Sequence, residues 1–213
     1  MDNLRVTINP QYNTRLKPLL SAENIPERWR GTPIDSLIQS HNFDVPIEST
    51  GVPQLLVATC IEFRFQPRVP SFYAYEIRRA SGRVLGAEFT VTYALAKGVK
   101  HMALIGHNDC GMTKVAENAN LMIDTLVAQE WPRDEAERYV QSRGPRHAIS
   151  DEVDALRDEY VRLRRLFRHL EIAPLFAALG NERLYLPNWY QELANQANEE
   201  LGAVTKEDIH VLP

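Results

Sequence analysis

Short uninterrupted apolar runs mark the middle of the chain. One run covers 54–60 and another covers 101–106, and polar or turn-forming residues flank both. Runs of this length without alternation are typical of strands buried on both faces of a parallel sheet. The aromatic stretch 71–77 predicts a further strand, and 183–190 predicts a closing strand.

Apolar residues at intervals of three and four follow these strands. This spacing predicts helices over 84–97, 113–129 and 132–142. A further helix is expected to begin at the N-cap Ser150, and its apolar stripe runs from Val153 to Leu170. Strands that alternate with helices predict an α/β fold with a central, mainly parallel β-sheet flanked by helices.

The first 52 residues show no sustained spacing of apolar residues, and prolines interrupt them repeatedly, which disfavours long helices. Short helices are expected near 16–20 and 34–39, within an N-terminal arm (1–52) that wraps another surface. Residues 53–213 would form the α/β domain itself. Because no linker divides the chain, we predict a single domain overall.

The composition is that of an ordinary globular protein. The chain has 213 residues, of which 44% are hydrophobic and 24% are charged, and its net charge is -4. This weak acidity gives no electrostatic reason to expect nucleic acid or an anionic membrane as a partner. The apolar runs are too short to span a bilayer, and the first residues lack the apolar stretch of a secretory signal. We therefore expect a cytoplasmic protein.

The chain has only two cysteines, and each directly follows a predicted buried strand. Ligands of open α/β sheets bind at the carboxyl ends of strands, which is where Cys60 and Cys110 lie. The spacing His107-x-x-Cys110 lets both side chains reach one ion from a tight turn. With Cys60 they would form a Cys2His set, which is used for zinc. Three protein ligands leave a fourth tetrahedral position for water, as in catalytic zinc sites.

Spacing alone leaves other interpretations of these residues open. Free cysteine is among the most buried residue types, so both thiols could simply be packed in the core. A Cys–His hydrolase would use one cysteine and leave the other without a role. A disulfide is not expected in a chain with no export signal. Asp109 could support a metal site or serve only as a turn residue.

The two cysteines belong to two short motifs. These read Cys60-x-Glu62-x-Arg64 and His107-x-x-Cys110-Gly111. Together they resemble the signature of the β-class carbonic anhydrases, which is Cys-x-Asp-x-Arg followed by His-x-x-Cys-Gly. The similarity includes the strand before each motif and covers roughly residues 50–195.

The resemblance implies a carbonic anhydrase-like zinc lyase. Cys60, His107 and Cys110 would bind zinc (Zn2+), and Glu62 and Arg64 would be the acid–arginine pair of the catalytic site. In such a site the carboxylate orients the reacting water, and the arginine holds the carboxylate away from the metal. The implied reaction is the reversible hydration of carbon dioxide to bicarbonate, carried out by a homodimer or a higher homo-oligomer.

Two positions depart from the family pattern. Glu62 replaces an aspartate, and Phe63 stands where the family usually has a small serine. The extra methylene could move the carboxylate by about 1.5 Å, where catalytic geometry must hold within about 0.5 Å. Glu62 could therefore pair with Arg64, ligate zinc or shape a pocket for another substrate. The corresponding alternatives are hydrolysis of a heterocumulene such as carbon disulfide or carbonyl sulfide, or a non-catalytic zinc-binding homologue that acts as a binding or assembly partner.

Overall fold

A six-stranded mixed sheet organises the protein, whose computed structural model describes residues 10–194. The strands are β1 (Leu16–Pro18), β2 (Leu55–Thr59), β3 (Ala74–Arg78), β4 (His101–His107), β5 (Glu171–Ala178) and β6 (Arg183–Pro187). Their order across the sheet is β1-β6-β5-β4-β2-β3. The pairs β2–β3, β2–β4 and β4–β5 are parallel, whereas β6 is antiparallel to β5 and β1. The predicted α/β fold with a mainly parallel sheet is confirmed.

Six α-helices accompany the sheet in the described part of the chain. They are α1 (Pro10–Asn13), α2 (Pro33–Phe43), α3 (Glu88–Ala96), α4 (Ala119–Ala128), α5 (Arg133–His147) and α6 (Glu152–Leu166). The predicted helices over 84–97, 113–129 and 132–142 are present as α3, α4 and α5 with shifted ends. No helix within residues 10–194 is long and apolar enough to cross a membrane.

Helix α6 is confirmed, with corrections at both ends. Its N-cap is Asp151 and not Ser150, because the Asp151 carboxylate accepts hydrogen bonds from the backbone N–H groups of the first turn at 2.9 and 2.8 Å. The helix ends at Leu166, so Leu170 lies beyond it. The apolar spacing continues past the helix end because Leu170 also belongs to the core.

Strand β5 was not predicted from the sequence pattern. Its residues are almost entirely buried, but the run directly continues the apolar stripe of α6 and contains Pro174. Proline disfavours a central strand because it has no N–H to donate. The antiparallel ladder with β6 begins only at Phe176, so Pro174 lies outside that ladder.

The N-terminal segment contains one wrong prediction and one confirmed one. Residues near 16–20 do not form a helix; they contain β1, in which Leu16 lies opposite Pro187 of β6. Pro18 is acceptable there because β1 is an edge strand. The helix predicted near 34–39 is present within α2, whose Ile34 and Leu37 are buried in the main core.

The segment before β2 therefore packs on the sheet of its own chain. Residues 1–9 of the predicted arm and residues 195–213 of the predicted α/β domain lie outside the described residues. The boundary between residues 52 and 53 stays a prediction.

The parallel pairing of β2 and β4 determines where the functional residues meet. Thr59, at the end of β2, lies opposite Ile105 in β4. Both strands run in the same direction, so the residues that follow them emerge at the same edge of the sheet. The strands are held there by burial, since every residue of β2 is buried.

Candidate metal centre

Cys60, His107 and Cys110 converge at the carboxyl edge of the sheet. The two sulfur atoms are 4.0 Å apart. The potential ligand atoms of the three residues all lie within 4.8 Å of one another, and all three side chains are buried. Two neighbouring strands thus bring the three residues singled out from the sequence into one cluster that could hold a metal ion.

The turn Ala80–Gly82 packs directly behind Cys60. Gly82 has a φ of +72°, and a Cβ there would lie 3.2 Å from the carbonyl oxygen of Ile105 and 3.4 Å from the backbone nitrogen of Cys60. Only glycine fits this close approach without a shift of backbone. The backbone N–H of Ser81 donates a hydrogen bond to the Cys60 sulfur. The turn therefore fixes the Cys60 backbone and supplies a donor to its thiolate.

The imidazole of His107 is oriented by its own loop. Its Nδ1 lies 2.9 Å from the carbonyl oxygen of Asn108, so Nδ1 carries the proton and donates it to that carbonyl. The neutral ring then has a lone pair on Nε2, which is buried and has no hydrogen-bond partner within the described residues. Burial lowers the pKa of His107, but the Cys60 sulfur and the Asn108 carbonyl outweigh it and raise that pKa. In the metal-free protein a proton competes for Nε2, and a bound metal ion would take its place.

Because the two sulfurs lie close together, the pKa values of the two thiols shift in opposite directions. A hydrogen bond from Cys110 lowers the pKa of the Cys60 thiol, and the neighbouring His107 lowers it further. The same hydrogen bond and burial raise the pKa of Cys110. Cys60 is therefore the first of the pair to become a thiolate. A cation between the two sulfurs would compensate the charge of a second thiolate.

The donor set fits zinc. Two sulfurs each about 2.3 Å from one ion, at a tetrahedral angle, lie about 3.8 Å apart, and the separation in the structure is 4.0 Å. Thiolate and imidazole are ligands that suit zinc, whereas magnesium and calcium prefer oxygen. Among the described residues the cluster has three members, so a fourth tetrahedral position is left without a protein ligand.

The Glu62 carboxylate is held by Arg64. Oε1 accepts hydrogen bonds from the Arg64 backbone N–H at 2.9 Å and from Nε at 2.7 Å, while Oε2 accepts one from Nη2 at 2.8 Å. These hydrogen bonds lower the pKa of Glu62 to about 2. The extra methylene left three arrangements of Glu62 open, and the one that the structure contains is the pairing with Arg64.

Arg64 also contacts the second motif. Its Nη1 donates to Oδ2 of Asp109 at 2.8 Å, and its Nη2 donates to the Asp109 carbonyl oxygen at 3.2 Å. Asp109 has a φ of 54°, a left-handed conformation that aspartate tolerates better than most residues. Asp109 therefore is a turn residue that also pairs with the arginine of the first motif, and its support of a metal site stays a prediction.

Two residues that lie outside both motifs also contact the site. Glu152, in the first turn of α6, accepts a hydrogen bond from the backbone N–H of Cys110 at 3.2 Å and one from the Tyr12 hydroxyl at 3.1 Å. Arg78, the last residue of β3, donates to the carbonyl oxygens of Glu62 at 2.7 Å and Phe65 at 2.9 Å. The position of Arg78 was accessible in principle, since β3 ends at the same sheet edge as β2.

Phe63, the second departure from the family pattern, lies at the surface. Its side chain is 83% exposed, and the guanidinium carbon of Arg64 lies 5.9 Å from its ring centroid. The replacement of a small residue thus places an aromatic ring against the arginine that holds Glu62.

Comparison with known proteins agrees with this fold. No protein-family model matches the chain, and no curated protein matches its sequence. The β-carbonic anhydrase isoform I of the protozoan Trichomonas vaginalis superposes with a TM-score of 0.53 at 16% identity, over 71% of this chain and 92% of that chain. A carbonic anhydrase from Glaciozyma antarctica gives 0.52 at 15% identity, over 76% and 99%. An apo carbon disulfide hydrolase gives 0.48 at 17% identity, over 76% and 90%.

The fold of this chain is therefore that of the β-carbonic anhydrases, while its sequence is only 16% and 15% identical to the first two of these structures. At such low identity the similarity establishes the fold alone. The reaction has to be argued from the residues at the sheet edge.

Proposed function

We propose that this protein binds zinc through Cys60, His107 and Cys110 and catalyses the reversible hydration of carbon dioxide to bicarbonate. One observation carries the proposal: a buried Cys2His donor set with an open fourth position lies beside a carboxylate that an arginine holds. Three protein ligands and an open position are characteristic of catalytic zinc. The β-carbonic anhydrase fold supports the same conclusion.

The bound zinc ion would supply a Lewis acid that makes water nucleophilic near neutral pH. Glu62 would orient that water. A carboxylate has about four acceptor positions, and Arg64 fills two on Oε1 and one on Oε2. The remaining position on Oε2 can accept a hydrogen bond from the reacting water. The low pKa of Glu62 keeps the group ionised and hence an acceptor only.

The pairing of Glu62 with Arg64 favours an open site over a closed one. A carboxylate that accepts three hydrogen bonds from arginine is already compensated in charge and gains less from ligating the metal. A non-catalytic homologue closed by Glu62 would need that pairing to be broken. The extra methylene therefore does not exclude catalysis.

Stopped-flow measurement of carbon dioxide hydration on the zinc-loaded protein tests the proposal. The rate should exceed the uncatalysed rate between pH 7 and 9, and Glu62→Gln should lower kcat by about a hundredfold or more, because an amide neither pairs with Arg64 as an anion nor orients the water as strongly. Glu135→Gln, at an exposed glutamate of α5, is the matched control.

Zinc bound at one per chain with hydration at the uncatalysed rate would contradict the proposed reaction. Carbon disulfide and carbonyl sulfide should be assayed in parallel. Hydrolysis of either one without hydration of carbon dioxide would replace the proposal with the heterocumulene hydrolase.

We also propose that two copies of the chain associate through the edge of the sheet at β3. Within the described residues β3 is the last strand on its side. Beside it, Phe89 and Tyr93 lie one helical turn apart on α3 and are 82% and 50% exposed. The Tyr93 ring contacts Tyr75 of β3 at a centroid distance of 6.1 Å. An edge strand next to exposed aromatic residues is a surface that a second copy can cover.

The cytoplasmic location and the lack of nucleic-acid or membrane partners stay predictions.

A further inference from the structure

Arg64 divides its hydrogen bonds between two acidic residues from different motifs. Its Nε and Nη2 donate to Glu62, two residues before it in the chain. Its Nη1 and Nη2 donate to the side chain and the carbonyl oxygen of Asp109, 45 residues away. This guanidinium connects the loop after β2 with the loop after β4. Both ends of the planar group are used, so its orientation depends on both carboxylates.

The two carboxylates differ in burial. The Glu62 side chain is only 8% exposed, whereas the side chains of Arg64 and Asp109 are 40% and 62% exposed. A buried carboxylate needs a compensating positive charge, but an exposed arginine can be solvated elsewhere. The arrangement is therefore asymmetric: the buried Glu62 depends on Arg64, whereas Arg64 has a second, exposed partner that can help to retain it over Glu62.

We propose that Asp109 is a positioning residue that retains Arg64 over Glu62 and so keeps the Glu62 carboxylate off the open metal position. This inference rests on the proposed zinc site. Without the Asp109 carboxylate the arginine keeps only the carbonyl contact to Asp109 and turns towards solvent more often. The cation that then lies within reach of the buried Glu62 carboxylate is the metal, and Glu62 takes the fourth position.

Cobalt(II) loading provides a spectroscopic test that does not use activity. Cobalt occupies zinc sites, and its visible absorption reports the ligands around it. Thiocyanate, added as a probe, should bind the open position of the wild-type protein and change that spectrum. In Asp109→Asn the Glu62 carboxylate should occupy the fourth metal position for part of the time. Thiocyanate can then bind only the remaining open fraction, so its apparent Kd should rise about threefold or more.

The chain offers a matched control for Asp109. Asp44 is also exposed, also has a positive φ, 56°, and also pairs with an arginine, Arg68, at 2.7 Å. Asparagine tolerates the left-handed conformation, so both substitutions preserve the turns. Asp44→Asn should leave the thiocyanate Kd unchanged.

A double variant tests whether Asp109 acts through Glu62. In the Glu62→Gln background the side chain is neutral and a poor ligand, so adding Asp109→Asn should leave the thiocyanate Kd of Glu62→Gln unchanged. A wild-type Kd in Asp109→Asn, or the same increase in the Glu62→Gln background, would overturn the inference. Failure of the wild-type protein to bind cobalt would instead reject the zinc site. Thiocyanate binding without carbon dioxide hydration would reject the reaction alone.

Discussion

Cys60 shows how one residue combines several local constraints. It directly follows a fully buried strand, its backbone touches Gly82, and its sulfur receives a backbone N–H from Ser81. Each contact holds the sulfur close to where a metal would need it. The position of the sulfur is therefore fixed by the buried strand before it and by the turn behind it.

Replacing this sulfur should remove the metal. Cys60→Ser should reduce bound zinc from about one ion per chain to near zero, since a serine hydroxyl is not ionised at neutral pH and is a much weaker zinc ligand than thiolate. Inductively coupled plasma mass spectrometry of the purified protein measures this directly. Zinc retained at one per chain in Cys60→Ser would contradict the ligand assignment.

Thr59 provides the matched control for that variant. It precedes Cys60, and its hydroxyl is buried without a hydrogen-bond partner in the described part of the chain. Thr59→Val keeps the shape and removes an unsatisfied polar group, so zinc content should be unchanged. The free energy of unfolding should stay the same or rise by about 1 kcal/mol, as measured by urea denaturation.

At the scale of elements, strands β2, β3, β4 and β6 were accessible to prediction, while β5 and β1 were not. Apolar runs that directly precede Cys60 and the His107 loop identify β2 and β4 and, with them, the ligand cluster. β5 is concealed because its apolar run follows the stripe of α6 without a break and contains Pro174. β1 is concealed because its pairing with β6 is a tertiary contact that three residues of sequence do not encode.

The site shows the same division between local and distant contacts. Spacing places the candidate metal ligands at one edge of the sheet, because they follow the strands directly, and the family resemblance implies the Glu62–Arg64 pair. The contact of Glu152 comes from α6, whose approach to the site depends on the whole fold, so sequence spacing holds no information on it. Arg78 ends β3 at the same sheet edge, but its hydrogen bond to the Glu62 carbonyl oxygen is not encoded in the motifs either.

His41, on α2, connects three elements near the loop that carries Arg64. Its Nδ1 donates to the carbonyl oxygen of Glu182 at 3.0 Å, and its Nε2 accepts the backbone N–H of Arg68 at 2.9 Å. Its ring stacks on Phe65 at a centroid distance of 5.2 Å. Burial, chiefly, lowers the pKa of His41 to about 4. Protonation would place a second donor against the Arg68 N–H.

This burial should make stability depend on pH with a defined sign. The unfolded chain takes up the His41 proton near pH 6.5 and the folded chain only near pH 4, so His41 stabilises the fold above pH 6.5 and that contribution is lost as the pH falls. The free energy of unfolding should be lower by about 2 kcal/mol at pH 5 than at pH 7.5 from this group alone.

Urea denaturation of His41→Gln across this range isolates the effect. The difference in unfolding free energy between wild type and His41→Gln should shrink as the pH falls from 7.5 to 5. The exposed His169 is the matched control, and His169→Gln should follow the wild-type curve. A constant difference between wild type and His41→Gln would show that His41 does not titrate on unfolding.

At the scale of the whole molecule, the sheet edge that carries the proposed metal site and the proposed dimer surface are adjacent. β3 pairs with β2, which leads into Cys60, and its last residue, Arg78, holds the backbone of Glu62. A second copy at β3 would therefore lie next to the loop that carries the acid–arginine pair. Assembly and site geometry are expected to depend on each other.

The dimer surface can be tested with one charge. Phe89→Glu places a carboxylate in the middle of the exposed aromatic surface, so burying that surface would cost several kcal/mol. Sedimentation velocity should show a dimer or larger species for the wild-type protein and a monomer for Phe89→Glu. Leu121→Glu, at a residue on α4 that is also exposed, is the control and should sediment as the wild type. Equal sedimentation of Phe89→Glu and wild type would place the interface elsewhere.

The pairing of β1 with β6 has a consequence for synthesis on the ribosome. Leu16 is made 171 residues before its partner Pro187 (187 - 16). At about 5–20 residues per second, the first strand waits roughly 10 to 30 s for its partner to be translated. The loops that carry Cys60, His107 and Cys110 are complete well before then. The nascent chain can thus assemble the parallel part of the sheet first, and β1 finds its partner only after β6 has emerged.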